Sequence, residues 1–341
     1  MTSLRVAVIG VGVIGGSVLR LAARRADLEV VAAIVRDTSL DGRAAREVVP
    51  DAPAGLYLSA DAEGTLRRTK PDVAIVATRS TLREVLPQLR VAAAAGAAIA
   101  CTAEDLAHIR AEDGPEAAEI FALANRHQVA IAAVGLNPGF VLDLWPLALA
   151  SLAHDVRSIE ADRVVDLSGF GPRVRASLGV GYSPDAFERE LARGAISGHR
   201  GFPESLRLLG DALGRPVDDT RVKTRPILAK VSRPLLGGVL AAGHTAGVRQ
   251  TAVGSTAGTA WLRLTMIASV ALDELDEAPV DKVRIAGSTE LSATISPGTQ
   301  AVAGTVGRIV NAIRAVAAAP PGVHTSLALG ITPPTPFRIE G

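Results

Sequence analysis

Gly10, Gly12 and Gly15 stand at G-x-G-x-x-G spacing directly after an apolar run, Val6 to Ile9, and ahead of apolar positions that continue at helical spacing through Val18, Leu19 and Ala22. Strand, glycine turn and helix in that order make an anion site. The first glycine permits the tight turn, the second lets backbone approach a pyrophosphate, and the third lets the helix pack on the strand with its N-terminal N–H groups facing the phosphates. The chemistry implied is dinucleotide binding, with Val13 and Ile14 on the same turn. The alternative is a glycine turn that only packs. A secretory signal is a poorer account of this start, because Gly10, Gly12, Gly15 and Gly16 would weaken an uninterrupted apolar helix.

The second candidate for chemistry is the pair Glu104 and Asp105, just past the apolar run Ala97 to Cys101. Ligands of doubly wound sheets bind outside the carboxyl ends of the strands, so the pair falls near the expected nicotinamide. Position alone leaves two roles open: acid–base catalysis, or stabilisation of the first turn of a following helix through its macrodipole. Thr78, Arg79 and Ser80, at the end of the strand that starts at Asp72, reach the same crevice, as does Thr102. After the strand Val129 to Val134, Pro138 and Gly139 force a turn that holds Asn137 and Phe140 at the crevice mouth. About 20 residues beyond the glycines an NAD site usually carries Asp or Glu for the ribose hydroxyls, whereas arginine suits a 2′-phosphate. The strand Glu29 to Val35 ends at Arg36, whose guanidinium would bind a phosphate dianion bidentately. This favours NADP, with NAD possible; the other reading is a solvated Arg36 with Asp37 on the ribose.

These residues need a scaffold, and 341 residues, 48% hydrophobic and 21% charged, supply enough for two globular domains. With 36 Lys+Arg against 35 Asp+Glu and 3% aromatics, no footprint for nucleic acid is evident. Cys101 is the only cysteine, which excludes an intramolecular disulfide framework and a Cys-rich metal site and fits a cytoplasmic location. It reads as a small buried strand residue. The six histidines are scattered, so no metal is expected. No uncharged stretch reaches the ~20 apolar residues that span a bilayer, so no membrane segment is expected.

Strands and helices alternate up to Val134, the pattern of an α/β, Rossmann-type dinucleotide-binding domain. From about Val156 the texture changes to strands in succession, at 156–167, 221–231, 236–254, 259–272, 281–287 and 289–296, interrupted by helices near 184–194 and 203–214. That pattern predicts an α+β second domain with a mostly antiparallel sheet. A helix from Gln300 to Ala318 follows, and the proline-rich tail from Ala319 is expected to run extended over the surface. The expected boundaries are 1–135, with about 300–341 packing back, and 136–299. A homodimer through the open face of the second sheet is expected, on the premise that this face is apolar and needs burial.

The N-terminal half resembles the cofactor domain of dihydrodipicolinate reductase, and the whole chain is more similar to the 2,4-diaminopentanoate dehydrogenase and native amine dehydrogenase group. The resemblance rests on the opening glycines, Thr102-Ala103-Glu104-Asp105-Leu106, Gly135-Leu136-Asn137-Pro138-Gly139-Phe140, Gly198 to Ser205, Val310 to Ile313, and Pro321 to Thr325. It implies that Glu104 is the catalytic carboxylate of an NAD(P)-dependent oxidative deamination or, in reverse, a reductive amination of a ketone or aldehyde with ammonia. Dihydrodipicolinate reductase proper needs paired histidines followed by lysine, and no His-His occurs here. Relatives carry a Gly-Asp-x-Ala-Thr run where this chain has Thr299 to Thr305, so substrate contacts there differ. Phe140, Trp145, Tyr182 and His199 are the pocket candidates. Trp145 could equally be core, Tyr182 could pin the loop of Gly179 and Gly181, and His199, flanked by glycines, is expected to be accessible. Another two-domain reductase of a cyclic imine, and a non-catalytic NADP sensor, are the alternative functions.

Overall fold

The computed structural model describes residues 3–235 and 237–335. Its elements run β1 (Leu4–Ile9), α1 (Val13–Ala23), β2 (Leu28–Ile34), β3 (Leu58–Ser59), α2 (Ala62–Thr69), β4 (Val73–Val76), α3 (Leu82–Ala94), β5 (Ala98–Cys101), α4 (Pro115–His127), β6 (Ala130–Ala133), α5 (Leu144–Ala150), β7 (Ser158–Asp166), α6 (Pro172–Ser177), α7 (Pro184–Ala192) and α8 (Phe202–Ala212). There follow β8 (Asp219–Leu228), β9 (Arg233–Leu235), β10 (Gly238–Leu240), β11 (Thr245–Thr256), β12 (Thr259–Ser269), β13 (Val280–Ala286), β14 (Leu291–Ile295), α9 (Ala301–Ala318), β15 (Gly322–His324) and α10 (Ser326–Leu329). They form two compact units, Met1–Phe140 with Gln300–Gly341, and Val141–Thr299.

In the first unit seven strands lie in the order β15-β6-β5-β4-β1-β2-β3, and each pairing is parallel. Strands covered on both faces need apolar side chains at every position, which is why Val6–Ile9 and Val73–Val76 show no alternation. Val8 and Ile75 pack under α1 and α9 with Leu19, Ile309 and Ile313, while Ile9 and Val76 pack on the other side with Leu89, Ile99 and Ile120. Strand order reverses between β1 and β4, the switch point of a doubly wound sheet. A partly buried ion cluster ties α9 to the turn after α1. Arg25 grips Asp27 through Nε and Nη2 at 2.8 and 3.0 Å and donates to Asn311 Oδ1 at 3.2 Å, and Arg314 Nε reaches Asp27 at 2.7 Å. Among the described residues α9 is the helix long and apolar enough to cross a membrane, and its Val306, Ile309, Val310, Ala312, Ile313 and Val316 are buried in this unit's core.

The tail departs from expectation. Instead of running extended over the surface it adds β15 beside β6, with Gly322 opposite Ala130 and His324 opposite Ala132, and then turns into α10 under a Thr325 cap. Two prolines ahead of a three-residue strand hid the pairing, because so short a segment carries no period.

The second unit holds a six-stranded sheet, β14-β13-β7-β12-β11-β8, in which β7 and β12 are parallel and the remaining pairs antiparallel. Its inner face, with Ile159, Ala161, Leu262, Leu264, Val283 and Ile285, is buried, as are Phe202, Leu206 and Leu209 of α8. The outer face is not apolar, which corrects the premise for burying it. Arg221, Lys223 and Arg225 on β8, Arg249 on β11 and Arg263 on β12 line one side, and Glu160 and Asp162 on β7 are paired to Arg284 at 2.7 and 3.5 Å. Alternation had been legible as strand; the identity of the outward residues decides what that face can meet.

Candidate active site

The glycine turn sits at the switch point, and its fit is tight. A Cβ on Gly10 (φ +93°) would lie 2.7 Å from both the Ala77 carbonyl oxygen and Thr78 Cγ2, and one on Gly15 would lie 1.8 Å from the Gly10 oxygen. A Cβ on Gly12 would meet nothing within 4 Å. Gly10 and Gly15 are therefore required by the protein itself, whereas Gly12 is open on the side from which a pyrophosphate would approach. Val13, 72% exposed, and Ile14 begin α1 at this turn.

Backbone bonds bring the strand ends together. Ala77 N–H donates to Ile9 at 2.9 Å, Thr102 N–H to Val76 at 3.0 Å, Val134 N–H to Cys101 at 2.8 Å, and Asp105 N–H to Ser80 at 3.1 Å. Between them opens a cavity of about 290 Å³ lined by Ile14, Thr78, Arg79, Ser80, Thr102, Glu104 and Asn137, together with Thr305 and Ser326. Thr78 Oγ1 and Asn137 Oδ1 are buried with no hydrogen-bond partner among the described residues. Buried polar atoms are rarely left so, and a polar ligand is the simplest source of their bonds. Glu104 is half-buried at the start of a single 3₁₀ turn, Glu104–Leu106, so the long helix whose dipole could have explained the carboxylate pair is absent. Gly135 and Gly139 close the loop that presents Asn137: a Cβ on either would fall 2.8 Å from the Pro138 oxygen or 2.5 Å from the Gly135 oxygen. The Asn137–Pro138 bond is cis.

Phe140 stands at the end of this loop, half-buried, with the Arg308 guanidinium 5.4 Å above its ring. Cys101 lines the cavity wall, and burial pushes its thiol up to about 12, which leaves no thiolate for nucleophilic work. Arg36 is exposed beyond β2, while Asp37 accepts from Ser39 N–H at 3.0 Å and Ser39 Oγ at 2.7 Å; these bonds hold its carboxyl below the ordinary carboxylate range.

Trp145, Tyr182 and His199 belong to the second unit. Trp145 is half-buried on α5, whose first N–H is capped by Asp143 at 2.6 Å; the other oxygen of Asp143 accepts from Ser205 at 2.9 Å. Tyr182 pins its loop through the backbone, donating to Gly179 at 3.3 Å and accepting from Thr245 at 2.8 Å, with its side chain half-buried. His199 is not accessible as expected. It is 8% exposed, its N–H donates to Gln250 Oε1 at 2.7 Å, and its ring stands edge-on to Phe202 at 4.8 Å. Gly198 is glycine because φ is +59° and a Cβ would lie 2.6 Å from that same Gln250, so this glycine marks close packing and not exposure. Burial and the charge of Arg163 push the imidazole down to about 3.

Sequence reasoning missed Ser326 and left Thr305 without a role. Reading Gly322–His324 as a strand would have found Ser326, since residues just past parallel strand ends line the crevice. Among the described residues no group of three His, Cys, Asp or Glu side chains could hold a metal ion.

Residues 140–335 match the family model described as the 2,4-diaminopentanoate dehydrogenase C-terminal domain. The chain belongs to that family. It is 26% identical to the 2,4-diaminopentanoate dehydrogenase of Acetoanaerobium sticklandii over 343 aligned positions, covering 100% of this chain and 96% of the relative. Its fold is that of an amine dehydrogenase from Mycobacterium smegmatis, at TM-score 0.85 and 24% identity over 98% of each chain. A more distant likeness, at TM-score 0.52 and 17% identity over 86% of this chain and 73% of the other, is to GenD2 from gentamicin A biosynthesis, solved in complex with NAD. Members of this dehydrogenase family are oxidoreductases, and so is this chain.

Proposed function

We propose that this dehydrogenase interconverts an amine and its ketone or aldehyde, with ammonia released or taken up, and that Glu104 is its acid–base residue. The observation that carries the reading is one cavity, at the switch point of a sheet with a glycine turn, that holds a carboxylate and buried polar atoms in want of partners. A nicotinamide dinucleotide bound there would supply or accept the hydride. The names of the related proteins, one a diaminopentanoate dehydrogenase and one an amine dehydrogenase, support the substrate class.

Charge dictates what Glu104 does. In amination it takes a proton from ammonium or from the ammonium form of the carbinolamine, returns that proton to the departing hydroxyl so that water leaves, and, a carboxylate again, stabilises the cationic iminium. In deamination it draws a proton from the water that hydrolyses the imine. Glu104→Gln removes the base while keeping the shape; turnover is expected to fall about a thousandfold with cofactor affinity retained, and unchanged turnover rejects the assignment. Following NADPH consumption over a panel of ketones with concentrated ammonia, against ammonia-free controls, tests the reaction itself. Reduction without ammonia would point to a preformed imine as substrate.

NADP is the proposed cofactor. The Asp37 carboxylate is engaged by Ser39, and Arg36 is exposed at the strand end where a 2′-phosphate would lie. Arg36→Ala should weaken NADPH binding about tenfold and leave NADH binding unchanged. Phe140, Trp145 and Tyr182 are carried as proposed substrate contacts, to be checked by the substrate profile of alanine variants; His199, buried against Phe202, is not one of them. A homodimer and a cytoplasmic location complete the proposal. Light scattering checks the first.

A further inference from the structure

Resting on the reading that the first unit holds a nicotinamide dinucleotide, the structure assigns to Ser326 a part in recognising the nicotinamide carboxamide, shared with Asn137 and Thr78. Polar residues at this cavity follow closely on strand ends: Thr78 after β4, Thr102 after β5, Asn137 after β6. By pairing with β6 in parallel, β15 brings the tail to the same end of the sheet, and Ser326 is the next cavity-lining residue beyond it. Gly322 N–H donates to Val129 at 3.1 Å and His324 Nε2 meets the Pro320 carbonyl at 2.7 Å ahead of the turn into the cavity, and Thr325 Oγ1 accepts the Ala328 N–H at 3.3 Å across it. Ser326 is 2% exposed and still lines the cavity, so its surroundings are shielded from bulk water.

The chemistry of the set matches a primary amide, which offers donors and an acceptor side by side. Asn137 Oδ1 is an acceptor in need of a donor, and a carboxamide NH₂ supplies one. Thr78 Oγ1 and the Ser326 hydroxyl can each donate to the amide oxygen. A methyl ketone in place of the amide keeps the oxygen and loses the N–H groups, leaving Asn137 Oδ1 unsatisfied. The C-terminal tail thereby becomes part of the cofactor site, and Ser326 a residue that contacts the cofactor.

The test is binding, read by fluorescence of NADPH and NADH and by calorimetry of their nicotinamide-free fragments, 2′-phospho-ADP-ribose and ADP-ribose. Ser326→Ala should weaken the whole dinucleotide about tenfold and leave the matching fragment unchanged. Wild-type protein should bind the 3-acetylpyridine analogue more weakly than the carboxamide form, by a similar factor. Equal losses for dinucleotide and fragment would overturn the assignment as a general structural effect, as would no loss for either or equal binding of the analogue. If wild-type protein binds neither dinucleotide nor fragment, the cofactor reading itself fails and the assignment with it.

Discussion

The strand bodies of one sheet and the strand ends of the other handle polar groups differently. Within the second unit's sheet Arg163 and Asp281 are buried and paired: Arg163 Nη1 donates to Asp281 at 2.9 Å and to Thr299 Oγ1 at 2.6 Å, and Asp281 accepts the Thr299 N–H at 2.7 Å. Asp143 with Ser205, and Gln250 with the His199 backbone, follow the same logic. In the first unit the strand bodies are apolar, and Thr78 Oγ1 and Asn137 Oδ1, just past strand ends, have no hydrogen-bond partner among the described residues. Polar groups committed to each other fix shape, whereas groups held in place and left uncommitted are available to a ligand.

The contrast can be broken from either side. Asp281→Ala should have the largest effect on stability, roughly 3–5 kcal/mol, because it leaves the 3%-exposed Arg163 charged and unpaired; thermal unfolding measures it. Gly15→Ala should cost roughly 2–4 kcal/mol, since its Cβ would sit 1.8 Å from a backbone oxygen, while Gly12→Ala, with open space around it, should leave stability within about 0.5 kcal/mol and weaken dinucleotide binding. Asp27→Asn tests the ion cluster of the first unit. Burial raises that carboxyl and the bonds from Arg314 and Arg25 outweigh it, so the folded pKa lies below the unfolded value. The cluster's contribution is then full above the unfolded pKa of about 3.9 and is lost as pH falls through the folded one. The gap in melting temperature between wild type and variant should close on acidification. The smallest effect is expected at Cys101: with its thiol at about 12, alkylating reagents at neutral pH should leave the folded protein unmodified, as mass spectrometry would report.

Legibility followed the same division. The glycine turn, Glu104 and the Asn137 loop were readable because each marks a strand end with residues whose backbone or chemical demands are local. His199 was misread because Gly198 answers to Gln250, which lies 51 residues from His199 in sequence and is brought near by β11. The outer face of the second sheet was misread because alternation reveals a strand without saying which residues point outward. Ser326 escaped because β15 is three residues long and acquires meaning from β6, far earlier in the chain. Asn311, noted as part of a family motif, gained its physical reason from Arg25, also remote in sequence.

The return of α9, β15 and α10 to the first unit also sets an order of manufacture. A ribosome that has read as far as Thr299 has made the whole of the second unit, Val141–Thr299, while the first still lacks α9 from one face of its sheet and β15 from the edge beyond β6. The half that begins the chain is thus the half finished last, and a message cut short before residue 300 would yield a complete second unit attached to a dinucleotide fold without its lid of apolar side chains.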